Sequence, residues 1–169
     1  QSKRPVQSYI AYFQAFTNTY APVEYLEKIF TEALDDPDVK ALSVATRPDC
    51  LGDDVVGLLG RLNSIRPVWV EFGLQTIHPA TAQMIRRGYD LPVFDCAVRR
   101  LRRAGIDVIV HVILFLPGET EEDMLKTIDY LNRCDIQGIK LQLLHVLRGT
   151  DLADVYEREP FHVPDQDEY

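Results

Sequence analysis

The sequence predicts an α/β chain folded as a partial, open, TIM-like (β/α) barrel of about five parallel strands. Three observations lead there. Strand-like and helix-like segments alternate, and the strand centres recur at roughly 30–40 residues, the size of one βα unit. The strand-like segments are nearly continuous apolar runs, as expected of parallel strands covered on both faces. No glycine-rich phosphate loop follows the first of them, which disfavours a doubly wound dinucleotide-binding sheet. Five units do not close an eight-stranded barrel, so the barrel is open or the chain is a piece of something longer.

Each element has its own signal. "SYIAYFQ" (8–14) is an apolar, aromatic run suited to a strand. Pro22 opens a helix, where its missing N–H costs nothing, and Leu26, Ile29, Phe30, Ala33 and Leu34 follow at helical spacing. "ALSVAT" (41–46) is the second strand. The helix over 53–62 takes Asp53 as N-cap and buries Val55, Leu58, Leu59 and Leu62. "VWVEFGL" (68–74) is the third strand. One helix then starts near Pro79, and another runs from Pro92 to a stop at Gly105. "DVIVHVILFL" (107–116) is the fourth strand. Thr120 and Asp123 begin the helix that carries Met124, Leu125, Ile128 and Leu131. "GIKLQLLHV" (138–146) is the fifth strand. Residues 1–150 form the barrel core and 151–169 a C-terminal extension, whose end "FHVPDQDEY" reads as a polar, fraying tail.

The 169 residues are 46% hydrophobic and 26% charged, the composition of a soluble globular domain. No apolar run is long enough to span a membrane, and "QSKRPVQSY" lacks the apolar core of a signal peptide. A net charge of −8 argues against a mainly electrostatic nucleic-acid binder. Cys50, Cys96 and Cys134 lie far apart with no C-x-x-C pair, which suits buried thiols in a reducing cytoplasm better than a disulfide framework. The run "RRLRR" (99–103) is read as a solvated outer helix face, with a phosphate-facing patch as the sharper alternative.

Every strand ends in polar residues a core does not need: Gln14, Thr17 and Asn18; Thr46, Arg47 and Asp49; Gln75; Glu119; His145. Polar groups at the C-terminal ends of parallel strands are where such folds bind ligands. Glu71, Gly73 and Gln75 share one strand face. If Gln75 points into the mouth, Glu71 lies deeper on the same wall and needs a partner there. His111 and Arg47 are the candidates. The plain readings are a buried Glu71–Arg47 pair, a satisfied core histidine at 111 and a structural loop residue at 145.

"YFQAFTNTYAP", "TRPDCL", "GLQT", the Arg-Gly pair at 87–88, "HVIL", "LPGET" and "LHVLRGT" together resemble the radical S-adenosylmethionine (SAM) superfamily, over nearly all of residues 8–152. The nearest likeness is to a bacterial subgroup of Fe–S oxidoreductases. "GLQT", "LPGET" and "RGT" are shared with the elongator catalytic subunit and with the oxygen-independent coproporphyrinogen oxidases. The resemblance implies a SAM pocket at the barrel mouth. Gln14, Thr17 and Asn18 replace a glycine-rich stretch that meets the methionine amino group. Thr46 with Arg47 is a polar contact at a strand end, and Gln75 matches a SAM-binding glutamine. Arg87 reaches the SAM carboxylate, His111 faces the ribose, Leu144 and His145 line the adenine, and Glu71 tunes the wall beneath.

The resemblance further implies a [4Fe–4S] cluster, reductive cleavage of SAM to a 5′-deoxyadenosyl radical, and an electron donor such as flavodoxin or ferredoxin. The superfamily's C-x-x-x-C-x-x-C loop has no counterpart here, and the three cysteines are too scattered to replace it. No metal ligand is therefore expected in this chain. It reads as a core lacking the first strand and the cluster loop, with Gln1 beginning beyond that loop, or as one whose upstream part lies outside this sequence. Alone it is expected to be inactive. Phe115, where relatives carry glycine, is expected to narrow the pocket or shield adenine. The substrate is unknown, and likeness to the elongator subunit points toward RNA. The exposed flank of the first strand favours an oligomer induced by truncation. The alternatives are a non-catalytic SAM-binding or partner-binding barrel, and an unrelated aldolase or lyase. The last needs a catalytic lysine at a strand end, whereas Lys140 lies near the start of its strand.

Overall fold

A computed structural model describes residues 7–165 and 167–168. Gln1, where the expected truncation falls, and Gln166 and Tyr169 of the expected fraying tail lie outside the described residues. Strands β1 (Tyr9–Phe13), β2 (Val39–Thr46), β3 (Val68–Gln75), β4 (Asp107–Leu114) and β5 (Gly138–Leu143) form one sheet in the order β1-β2-β3-β4-β5. All four pairings are parallel. The sheet curls into an open half-barrel flanked by helices, a partial TIM-like barrel. On a flat sheet the two edge strands would lie about 19 Å apart. Here Lys140 of β5 reaches the Tyr12 hydroxyl of β1 at 3.1 Å.

Helices α1 (Val23–Asp35), α2 (Asp53–Asn63), α3 (Pro79–Met84), α4 (Leu91–Arg103) and α5 (Glu121–Leu131) fall between the strands, and α6 (Asp151–Arg158) follows β5. The strand period of two sorts the side chains. In β3, Val68, Val70, Phe72 and Leu74 are buried in the core with Phe30, Leu58, Leu59, Phe94 and Leu101 of the helices. Trp69, Glu71, Gly73 and Gln75 alternate with them and occupy the concave face. The expected burial on both faces holds for β2 from Ala41 to Thr46, whereas the concave face of β3 carries a polar network.

Local signals mostly hold. Gly105 sits at φ +72 just past α4, and the Ile106 and Gly105 amides close back on Leu101 and Arg102 carbonyls as a Schellman stop. Thr120 and Asp123 form a reciprocal capping box on α5. Others shift. Gly52, not Asp53, is the N-cap of α2, and Asp53 pairs with Arg100 at 2.6 Å. β4 ends at Leu114 because Phe115 turns left-handed at φ +60 and gives its amide to the Met124 sulfur. β5 ends at Leu143, so Leu144–Val146 lie beyond it. Cys96 is exposed rather than buried. Helix α6 was not expected. After it, Phe161 packs on Tyr156, and His162 packs on Phe115.

Candidate functional site

The floor of the concave face is built around Glu71. Its Oε1 accepts from the Ser43 hydroxyl at 2.6 Å and the Trp69 indole at 3.2 Å. Its Oε2 lies 3.0 Å from the Tyr12 hydroxyl, 3.1 Å from the Lys140 ammonium and 2.6 Å from His111 Nε2. One or more partners come from every strand of the sheet. Burial alone pushes the Glu71 carboxyl up, but hydrogen bonds from Ser43, His111, Lys140 and Tyr12 outweigh it and hold it down at about 2. An ionised carboxylate only accepts hydrogen bonds, so His111 Nε2 carries the proton it shares.

Of the two partners expected for Glu71, His111 is found and Arg47 is not. Arg47 instead forms a two-pronged pair with Asp49, at 2.9 and 2.7 Å, and lies over the Tyr89 ring at 5.8 Å. The nearby carboxylate satisfies it before it can reach inward. Lys140, set aside as too near the start of its strand, is the cation that Glu71 does meet, because strand curl carries it across the concave face.

Above the floor is the mouth. The β3–β4 register slips between Gly73 and Gln75, and Gln75 takes a left-handed φ of +68. A Cβ at position 73 would stand 2.7 Å from the Gln75 amide nitrogen, so glycine lets that side chain fold back over its own strand. Gln75 Oε1 is buried and accepts no hydrogen bond. Buried acceptors are nearly always satisfied, so an atom of this kind at a strand end marks a place for a donor.

Arg87 is buried and braces the same strand end. Its Nη1 donates to the Thr76 carbonyl at 2.7 Å and the Leu74 carbonyl at 3.4 Å, and its Nε to the Tyr89 carbonyl at 3.0 Å. The Tyr89 ring lies 4.6 Å from the guanidinium, and its hydroxyl donates to Gly73 at 2.7 Å. Burial pushes the Tyr89 hydroxyl well above its ordinary value. Only Arg87 Nη2 is left for a ligand.

Two hollows meet here, and both are lined by Gln75 and Ile85. The polar one, about 370 Å³, brings together Gln14, Thr46, Arg47, Glu71, Arg87 and His111. The more apolar one, about 630 Å³, is lined by Ile113, Leu116, Leu143, Leu144 and His145. Nine of the eleven expected site residues thus line one continuous mouth. Thr17 and Asn18 do not. The Asn18 amide ties the Phe13 and Ala45 carbonyls together at 2.9 and 2.8 Å, which fixes the loop between β1 and α1. Thr46 also has protein partners, with its hydroxyl 2.6 Å from that of Thr19. Phe115 lines neither hollow; its left-handed turn points it to His162, so it does not narrow the mouth. Sequence reasoning missed Tyr12, Ser43, Lys140 and Tyr89. Tyr12 and Lys140 carried a usable signal, each a polar side chain in an otherwise apolar strand.

Among the described residues, no group of three or more His, Cys, Asp or Glu side chains could hold a metal ion. Cys50, Cys96 and Cys134 are free thiols on separate elements.

Residues 3–131 match the Radical SAM superfamily. YtqA of Bacillus subtilis strain 168 is 48% identical over 161 residues, which cover 95% of this chain and 50% of YtqA. The tRNA uridine(34) acetyltransferase of Methanocaldococcus jannaschii is 28% identical over 121 residues, covering 70% of this chain and 22% of that protein. Among solved structures, archaeal Methanocaldococcus infernus Elp3 with an N-terminal deletion superposes with a TM-score of 0.80 at 20% identity, over 97% of this chain and 43% of that one. The chain spans about half the length of the curated relatives it matches.

Proposed function

The chain belongs to the radical SAM superfamily, and from that premise we propose that its mouth binds S-adenosylmethionine as part of a radical SAM oxidoreductase. The observation that carries the reading is the orphaned Gln75 Oε1 at the junction of the two hollows. A buried acceptor there suits the ammonium end of a methionyl group. The polar hollow, with Gln14, Thr46, Arg47, Arg87 and His111, suits the charged and hydroxylated parts of the ligand. The apolar hollow at Leu144 suits its adenine. Asn18 acts one step back, by tying the loop beside Gln14 to the Phe13 and Ala45 carbonyls.

Bound in the mouth, S-adenosylmethionine would supply one-electron radical chemistry with methionine as the leaving group, and the protein's part would be to position it and to exclude water. Gln75 and Arg87 fix the ligand's polar end. His111, with Nε2–H on Glu71, offers Nδ1 to a hydroxyl group. Glu71 holds that ring in place and stays ionised. The cysteines do not fit a [4Fe–4S] cluster, because they lie on separate segments and form no local ligand group. The cluster ligands belong to residues outside this chain, and the partial barrel core with its C-terminal extension is inactive alone. A flavodoxin or ferredoxin supplies the electron in the cytoplasm. The tRNA-modifying relatives support RNA as the substrate class. The β1 edge, with Tyr9 and Ile10 about half exposed, is where a second chain would add.

The test is calorimetric titration of the chain with S-adenosylhomocysteine, which lacks only the sulfonium methyl and its charge. Saturable binding that Gln75→Leu weakens about tenfold, the loss of one good hydrogen bond, supports the reading. No binding to the wild type sinks it. The alternative, a SAM-binding or partner-binding barrel without catalysis, predicts the same binding. It is separated by iron and sulfide content of the full-length protein, since about four of each mark a cluster.

A further inference from the structure

A third hollow of about 630 Å³ lies between α4 and α5, lined by Asp95, Val98, Tyr130 and Cys134 and by four arginines, Arg99, Arg102, Arg103 and Arg133. It is far from the mouth in the fold. The arginines end α4 and follow α5, and those ends lead into the starts of β4 and β5. The mouth lies where the strands finish.

Cations at helix C-termini are expected, because they offset the helix dipole. Two arginines of the run are already paired. Arg100 binds Asp53 and the Leu51 carbonyl. Arg102 binds the Ile106 carbonyl, Asp107 and Asp135. Arg99, Arg103 and Arg133 are left over. All three are exposed, and none makes a side-chain hydrogen bond or ion pair to any described residue. The chain carries 26 acidic residues against 18 basic ones, and against that balance three unpaired arginines surround one hollow. The two acids that line the hollow are occupied. Asp95 accepts from the Tyr130 hydroxyl, and Asp135 faces Arg102.

We propose that this hollow is a docking site for the phosphodiester backbone of RNA, with Arg99, Arg103 and Arg133 as the phosphate contacts. Guanidinium groups take phosphate oxygens in a fork geometry that lysine lacks. Three such contacts let a locally basic surface hold RNA on an acidic chain. The choice of RNA rests on the substrate class proposed above. The site itself rests on the arginines. Because the hollow and the mouth are at opposite ends of the barrel, the partner is an extended or folded RNA that reaches both, not a mononucleotide.

The test uses full-length protein and a fluorescently labelled tRNA transcript, with affinity followed by anisotropy across a range of salt. The triple substitution Arg99→Gln, Arg103→Gln, Arg133→Gln is expected to weaken binding about tenfold or more near 0.1 M salt, and to lower the log–log salt slope by about one per arginine. Arg133→Gln alone, at an exposed helix end where misfolding is no concern, lowers the slope by about one. A control with the same change of net charge, Lys28→Gln, Arg61→Gln, Arg158→Gln, keeps both affinity and slope. The proposal is overturned by a triple variant that binds like the wild type, by equal loss in the control, or by a wild type that does not bind. Displacement of the transcript by low-micromolar AMP would overturn it too, in favour of a mononucleotide site. S-adenosylhomocysteine titrations on the same proteins report separately on the mouth. Their failure would remove the SAM reading and leave the RNA measurement standing.

Discussion

Glu71 and Gln75 lie four residues apart on the same face of β3, and they are opposite kinds of polar residue. Glu71 has five partners and no unmet need. Gln75 has a buried oxygen with no partner at all. The floor of the half-barrel is a finished network that stabilises the curl. The rim is left unfinished at the spot where a ligand's donor could complete it. One strand therefore carries the stabilising network and the rim acceptor about 13 Å of rise apart, and the rim should be breakable without the floor.

The largest effect is expected at the floor. Glu71→Ala strands the Lys140 ammonium and leaves Tyr12, Ser43 and His111 without their acceptor. Each buried donor left without its acceptor costs about 1–3 kcal/mol, so urea denaturation should show a marginal or unfolded chain. If the midpoint barely moves, the floor is not what holds the curl. The next effect is with pH. The Glu71 carboxyl is held at about 2 in the folded chain against 4.5 ordinarily. A depressed folded value means the stabilisation is complete above about pH 4.5 and is lost as pH falls from there toward about 2, by an amount on the order of 3 kcal/mol. Glu71→Gln, if folded, should flatten that limb of the pH–stability curve.

At the rim the expected pattern reverses. Gln75→Leu removes an unsatisfied acceptor, so stability holds or rises by about 1 kcal/mol, while S-adenosylhomocysteine affinity falls about tenfold. Equal losses in both would merge the two regions into one. The smallest effect is expected at Lys140, whose side chain is 42% exposed. Lys140→Met should cost no more than about 1 kcal/mol, because solvent screens a half-exposed pair. A larger cost would show that the cation, and not the carboxylate, organises the floor.

The order of strands and helices was legible because it follows from local periods of two and 3.6, which chain curvature does not alter. Gly105 and Thr120 were legible for the same reason, as local backbone chemistry. Helix α6 was not: Leu152, Val155 and Tyr156 recur at helical spacing, but over only eight residues and with none fully buried. The end of β4 was missed because Phe115 looks like one more strand residue, and only its positive φ removes it. The mouth was legible as a set of strand ends, and Gln75 stood out as a polar residue closing an apolar run. What the mouth residues touch was less so. Arg47 and His111 were the partners expected for Glu71, and Lys140 was weighed only as a catalytic lysine. The outcome depended on Asp49, two residues from Arg47, and on a curl that no local pattern encodes.

The Glu71 network also sets an order of assembly. Tyr12 and Lys140 are 128 residues apart, and Glu71 lies 59 residues from one and 69 from the other. On a chain emerging from the ribosome, the Glu71 carboxylate meets its tyrosine early and waits for its ammonium until the last strand arrives. Closing so long a loop comes late, after the local helices and neighbouring strand pairs. The floor then acts as a latch on a barrel already formed: loosening it quickens unfolding and leaves the folding rate almost unchanged.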